Sequence, residues 1–184
     1  MQTYLPQILA ELQATLSQLS AGHDEPLAAA IVEAKRVFVA GAGRSGLVLK
    51  GFAMRLMHLG FQAHVVGETT TPSIAPDDLL LIGSGSGATG TLLVIANEAR
   101  RVGARVALIT IRADSPIGQM AQIALTIPAS TPKVASPYGF PSIQPMGSLF
   151  EQAMFLILDG LVLKLMTRLK TDSETMFINH ANLE

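Results

Sequence analysis

The chain has 184 residues, 49% of them apolar and 15% charged, with a formal net charge of −1. That composition fits one folded domain with its own core, excludes a disordered tail, and gives no electrostatic reason to expect nucleic acid or an anionic membrane as a partner. Cysteine is absent, which excludes disulfides, thiol chemistry and Cys-ligated metal sites.

Met1 to Leu9 has neither the basic start nor the long apolar run of a signal peptide. The longest apolar stretch, Ala153 to Met166, is too short for a membrane span and holds Asp159 and Lys164. A cytoplasmic protein is expected. A mean hydropathy of +0.41 with so little charge predicts apolar helix faces that are covered in a homo-oligomer.

Tyr4 to Leu19 carries Leu5, Ile8, Leu9, Leu12, Leu16 and Leu19 on one stripe, the spacing of an amphipathic helix. A second helix starts near Asp24, a capping residue, with Pro26 in its first turn. Arg36 to Ala40 reads as a buried strand, Ser45 to Leu59 as a helix ended by Gly60, and Gln62 to Val66 as a strand. Asp78 to Ile82 is the next strand, Ala88 to Val102 a helix ended by Gly103, and Arg105 to Ile111 a strand. A short helix is expected at Ser115–Pro116, and Ile123 to Ile127 is the last strand. The Pro- and Ser-rich loop Pro128 to Pro145 is long enough for an active-site wall or an interface arm. A long helix, about Met146 to Lys170, and a tail from Thr171 complete the chain. Strands alternating with helices over short connections predict an α/β fold: one domain over residues 1–184, with a five-stranded parallel sheet flanked by helices.

In an open parallel sheet, ligands bind beyond the carboxyl ends of the strands. Two strand ends carry Gly/Ser-rich turns that run straight into helices: Gly41-Ala42-Gly43-Arg44-Ser45-Gly46 and Gly83-Ser84-Gly85-Ser86-Gly87-Ala88-Thr89-Gly90. Glycine lets backbone N–H groups approach an anion, and a helix N-terminus adds unpaired N–H groups and a favourable dipole. The hydroxyls of Ser84, Ser86 and Thr89 add donors. Two such turns on one sheet point to a phosphate site rather than to a pair of capped turns. Gly41, Gly43 and Gly46 also match the dinucleotide fingerprint, and Glu68 follows the second strand. The chain is short for a dehydrogenase with a substrate domain, however, and that motif gives the second loop no role.

GAGRSG after the first strand, IGSGSGATG after the third, and ITIRADSPIGQMAQIALTIP over the fourth and fifth resemble the signatures of SIS (sugar isomerase) domains. The resemblance covers most of the chain from the second helix on. It implies a phosphosugar ligand, with phosphate held by Ser45, Ser84, Ser86 and Thr89 and with Gly43, Arg44 and Gly85 near the sugar. Within the family, MRLMHLG…VVGETTTPSI, PMGSLFEQAMFLILDGLV and the ending HANLE resemble the 6-phospho-3-hexuloisomerase branch. That resemblance implies interconversion of 3-hexulose 6-phosphate and fructose 6-phosphate, in the ribulose monophosphate route of formaldehyde fixation. It also implies a homotetramer with the site shared between subunits. The alternatives are an isomerase acting on arabinose 5-phosphate or sedoheptulose 7-phosphate, and a phosphosugar sensor with the same pocket but no base.

Glu151 lies early in the long helix among Met146, Leu149, Phe150, Met154 and Phe155. By spacing alone it is equally a catalytic carboxylate or a surface glutamate that complements the helix dipole; the resemblance implies the base. For His180, in the polar tail, the resemblance implies help with ring opening at a neighbouring subunit's site. Arg44 either contacts sugar hydroxyls or lies free on the surface. Thr69 to Thr71 line the same mouth or form a plain loop. His58, near a helix end, is read as structural, its positive charge complementing the dipole. Asp159 and Lys164 are candidates for pairing across an interface. His23, His58, His64 and His180 show no metal-ligand spacing, so neither metal nor cofactor is expected.

Overall fold

The computed structural model describes residues 3–131 and 141–183. Helices α1 (Leu5–Leu16) and α2 (Glu25–Glu33) precede strand β1 (Val37–Gly41), helix α3 (Gly43–His58) and strand β2 (Ala63–Val65). Strand β3 (Leu79–Gly83), helix α4 (Gly90–Arg101), strand β4 (Arg105–Thr110) and strand β5 (Ile123–Thr126) follow. Helix α5 (Ser148–Leu169) and the short helix α6 (Ser173–Phe177) close the chain.

The five strands form one all-parallel sheet in the order β2-β1-β3-β4-β5. The three central strands are buried along almost their whole length, which is why they read as continuous apolar runs rather than alternating ones. On one face of the sheet, Leu27, Ile31, Leu49, Leu56, Phe150 and Leu161 of α2, α3 and α5 pack with Leu12 of α1. On the other, Leu92 and Ala96 of α4 cover Phe38, Leu80, Ile82 and Leu108. Strand order reverses direction between β1 and β3. Gly41 and Gly83 pair in register there, so the two glycine turns leave the sheet side by side. This is the crevice where open α/β sheets take their ligands.

Several local expectations change. The first helix ends at Leu16, although Leu19 still packs on the core, so its apolar stripe outruns its hydrogen-bonded turns. No helix forms at Ser115–Pro116. The Ser115 hydroxyl instead accepts from the Gly118 N–H, and the chain folds back so tightly that a Cβ on Gly118 would lie 2.0 Å from the Ala113 carbonyl oxygen. The tail contains α6, started by Asp172, whose carboxylate accepts from the Thr175 N–H at 2.8 Å. Asp24 starts α2 without a side-chain cap; its carboxylate instead takes Lys164 of α5, which also lies 3.5 Å from Glu25. Lys164 is thus committed within its own chain, while Asp159 is exposed. Among the described residues, no helix is long and apolar enough to cross a membrane.

Candidate active site

The first turn needs glycine for two separate reasons. A Cβ on Gly46 would stand 2.5 Å from the Gly41 carbonyl oxygen, and one on Gly41 would stand 2.8 Å from Gly46, so strand and helix touch backbone to backbone. Gly43 has φ +57, the left-handed region that favours glycine. The fingerprint spacing therefore serves a close strand–helix approach. Glu68, which would hold a ribose in a dinucleotide site, lies 4.0 Å from Lys50 instead. In the second turn Gly87, φ +59, packs so closely on Ser115 that a Cβ would fall 1.9 Å from its hydroxyl.

These turns bring the expected phosphate residues together. Ser45, Ser84, Gly85, Ser86 and Thr89 line one cavity of about 230 Å³, with Glu151, Gly147, Phe150, Met146, Thr131 and Leu92 around the rest of its wall. The Ser84 hydroxyl accepts from the Gly87 N–H and shares a hydrogen with the Thr89 hydroxyl, both at 3.2 Å. The Ser86 hydroxyl accepts from the Ala88 N–H at 3.3 Å and is only half-buried. Helices α3 and α4 both start at this cavity. Their first-turn N–H groups have no partners within the helix and face an incoming anion.

Glu151 enters the cavity from the first turn of α5, its side chain 16% exposed. Arg44 Nε lies 3.1 Å from its Oε2, and Arg44 Nη1 donates to the Ser148 hydroxyl at 3.0 Å. Arg44 is therefore paired rather than free: it clamps the start of α5 to the first glycine turn. The cavity is lined by hydroxyl and amide donors and by a carboxylate. That suits an anion carrying a weakly acidic C–H.

Sequence reasoning missed Met146, Gly147, Phe150, Thr131 and Leu92. Met146 carries φ +58, a left-handed backbone uncommon for a side-chain-bearing residue, as the chain turns into α5. Glu11 of α1 steadies this entry, accepting from the Ile143 N–H at 2.7 Å, the Ser142 hydroxyl at 2.7 Å and the Gln144 side chain at 3.0 Å. Burial pushes the Glu11 carboxyl up, but the bonds from Ile143, Gln144 and Ser142 more than offset it and hold it below its ordinary value. The rest of the Pro/Ser-rich loop, residues 132–140, lies outside the described residues.

Two expected participants are elsewhere. Thr70 and Thr71 line a separate hollow with Lys50 and Glu68. His180 stacks on His58 at the far end of α3, ring centroids 5.5 Å apart. The 16 residues of α3 put that end about 24 Å from the cavity, so His180 does not reach the site of its own chain. His58 is not the dipole-complementing cation expected: burial, then Arg55 and His180, hold its imidazole below the ordinary range and uncharged. Among the described residues, no group of three His, Asp or Glu side chains could hold a metal ion.

The SIS domain family model matches residues 30–155. A Bacillus subtilis protein named 3-hexulose-6-phosphate isomerase is 49% identical over 181 residues, covering 98% of this chain and 97% of its own. A Mycobacterium gastri protein of the same name is 46% identical over 158 residues, 86% of this chain and 78% of its own. The crystal structure of a Methanococcus jannaschii protein, with an inferred function of 3-hexulose-6-phosphate isomerase, superposes with a TM-score of 0.82 at 32% identity, over 98% of this chain and 97% of that one. With a matching family model and full-length relatives of this similarity, the chain belongs to the SIS domain family.

Proposed function

We propose that this chain is a 3-hexulose-6-phosphate isomerase, moving the carbonyl of the substrate from C3 to C2 to give fructose 6-phosphate. The observation that carries the reading is that Ser84, Ser86, Thr89 and Glu151 line one cavity. Phosphate binds the hydroxyls of Ser45, Ser84, Ser86 and Thr89 and the helix N-termini, with Gly43 and Gly85 giving room for close approach. Glu151 takes the proton from C2, leaving a cis-enediolate across C2 and C3, and returns it to C3; one carboxylate on one face of the substrate serves both transfers. Arg44 holds the start of that helix, and its charge beside Glu151 balances that of the enediolate in this scheme. A phosphosugar sensor has no use for a carboxylate placed this way. The test is direct: the purified protein, given 3-hexulose 6-phosphate generated in situ from formaldehyde and ribulose 5-phosphate by a synthase, forms fructose 6-phosphate. No product above the protein-free rate overturns the reading.

His180 acts in this scheme from a neighbouring subunit, since its own cavity is out of reach. In 3-hexulose 6-phosphate, O6 is esterified and closure through O5 would make a four-membered ring, so that substrate is open-chain. Fructose 6-phosphate cyclises through O5. Opening it requires a proton to be taken from the C2 hydroxyl and one delivered to O5, a role for an imidazole. The proposed homo-oligomer, a tetramer by family resemblance, has a surface to use. Leu47, Met54 and Met57 of α3 stand exposed along one side, and Gly51 between them packs beside the exposed Phe155 of α5.

Two further results are expected. Ser86→Ala removes a hydroxyl donor to a charged oxygen, worth about 1.5–3 kcal/mol, or roughly 10- to 150-fold in phosphosugar affinity. Binding titration with fructose 6-phosphate checks it, and unchanged affinity would make the loop only a turn. Dialysis against a chelator leaves turnover intact. Reproducible loss restored by a divalent ion would contradict the proton-shuttle scheme as drawn.

A further inference from the structure

We infer that His58 is a positioning residue: its buried imidazole is the seat on which His180 is presented to the neighbouring subunit. The inference rests on the proposed role of His180 and adds a residue to it.

His58 is 5% exposed, and its Nδ1 lies 3.3 Å from Arg55 Nη1. A guanidinium only donates, so Nδ1 holds a lone pair and the ring carries its proton on Nε2. His180 lies nearly parallel to this ring, 17° between planes, and Phe177 packs on His180 with centroids 5.3 Å apart. The side-chain amide of Asn179 donates to the His58 carbonyl oxygen at 3.1 Å. His180 Nδ1 lies 3.0 Å from the Ala181 carbonyl oxygen, which takes its N–H and leaves Nε2 with the lone pair for proton transfer. Apart from Met176, which is half-buried against the core, little else anchors this stretch: α6 fully buries none of its residues, and Phe177 and Ile178 are exposed. A charge on His58 would stand between Arg55 and His180, so the seat works only as a neutral flat ring.

The placement fits delivery across a subunit boundary. The exposed stripe on α3 runs from Leu47, beside Ser45 at the cavity, to Met57, beside His58. Two copies joined along this stripe by a two-fold axis perpendicular to α3 are antiparallel. Each His58–His180 stack then lies near the cavity end of its partner's α3. No rearrangement of the tail is required.

The test compares turnover and KM on fructose 6-phosphate for the full-length wild type, His58→Leu, His58→Phe, Asn179→Ala, His180→Ala and the double variant His58→Leu/His180→Ala. The expected result is a loss of roughly 10- to 100-fold in kcat for His58→Leu with KM nearly unchanged, the scale of a misplaced catalytic group. His58→Phe, which keeps a flat neutral ring, recovers most of it, and the double variant is no worse than His180→Ala alone. Asn179→Ala loosens the same tether without touching the core, so it also lowers kcat and keeps the question answerable should His58→Leu not fold. Wild-type turnover in folded His58→Leu and in Asn179→Ala, with His180→Ala impaired, overturns the inference alone. Wild-type turnover in His180→Ala overturns the role of His180 and the inference with it.

Discussion

Glu151→Gln is expected to lower turnover in both directions by roughly 10²–10⁴-fold, the usual worth of a positioned acid–base group. The substitution preserves length and shape, and Arg44 keeps its hydrogen bond to the Ser148 hydroxyl, so the start of α5 keeps its clamp. What is lost is the ability to take a proton from carbon. Affinity for fructose 6-phosphate should change little, because the phosphate cradle lies on the β1 and β3 turns and the carboxylate on α5. A second readout separates base from bystander. Running backward, the enzyme removes the C3 proton of fructose 6-phosphate, so in deuterium oxide the wild type exchanges that position and the variant does not. Near-normal turnover with retained exchange would remove Glu151 from the mechanism.

What the chain reveals on reading is what local chemistry forces. The glycine turns are visible because φ +57 at Gly43 favours glycine and the backbone contact between Gly41 and Gly46 leaves no room for a Cβ. The strands are visible because burial on both faces writes continuous apolar runs. What is hidden depends on distant partners. Asp24 looks like a cap, but Lys164, 140 residues on, claims its carboxylate. Arg44 looks like a surface arginine, but the packing of α5 over the β1 turn sets it against Glu151 and Ser148. His58 looks like a helix-end cation, but burial and Arg55 leave it neutral. Phe150 and Met146 become cavity wall only once α5 docks. One miss was avoidable: Asp172, a capping residue type with Glu174 in the turn that follows, carries a local signature of the α6 start.

Asp78→Ala should be the most damaging substitution outside the cavity. Asp78 is fully buried, and its carboxylate accepts from Arg36 Nε at 3.0 Å, Arg36 Nη2 at 2.6 Å and the Ala75 N–H at 2.7 Å. Arg36 stands just before β1 and Asp78 just before β3, and their backbones bond as well, Leu79 N–H to the Arg36 carbonyl oxygen. The pair fixes at one end of the sheet the register that sets Gly41 against Gly83 at the other. Breaking a buried pair costs about 3–5 kcal/mol, because the surviving charge is stranded. The Arg36 side chain keeps 19% exposure and regains some water, which favours the lower end of that range. Denaturant unfolding at neutral pH checks it, and a loss under about 1 kcal/mol would assign the pair no such role. Acid gives an independent reading. Burial pushes the Asp78 carboxyl up, but Arg36 and the Ala75 N–H more than offset it and hold it below the ordinary 3.8. The folded chain therefore binds this proton less readily than the unfolded one. The stabilisation is fully present above the ordinary value and is lost as pH falls through the folded value. The stability gap between wild type and Asp78→Ala should thus hold steady above about pH 5 and narrow in stronger acid. A gap that widened on acidification would mean the carboxyl is protonated in the folded protein.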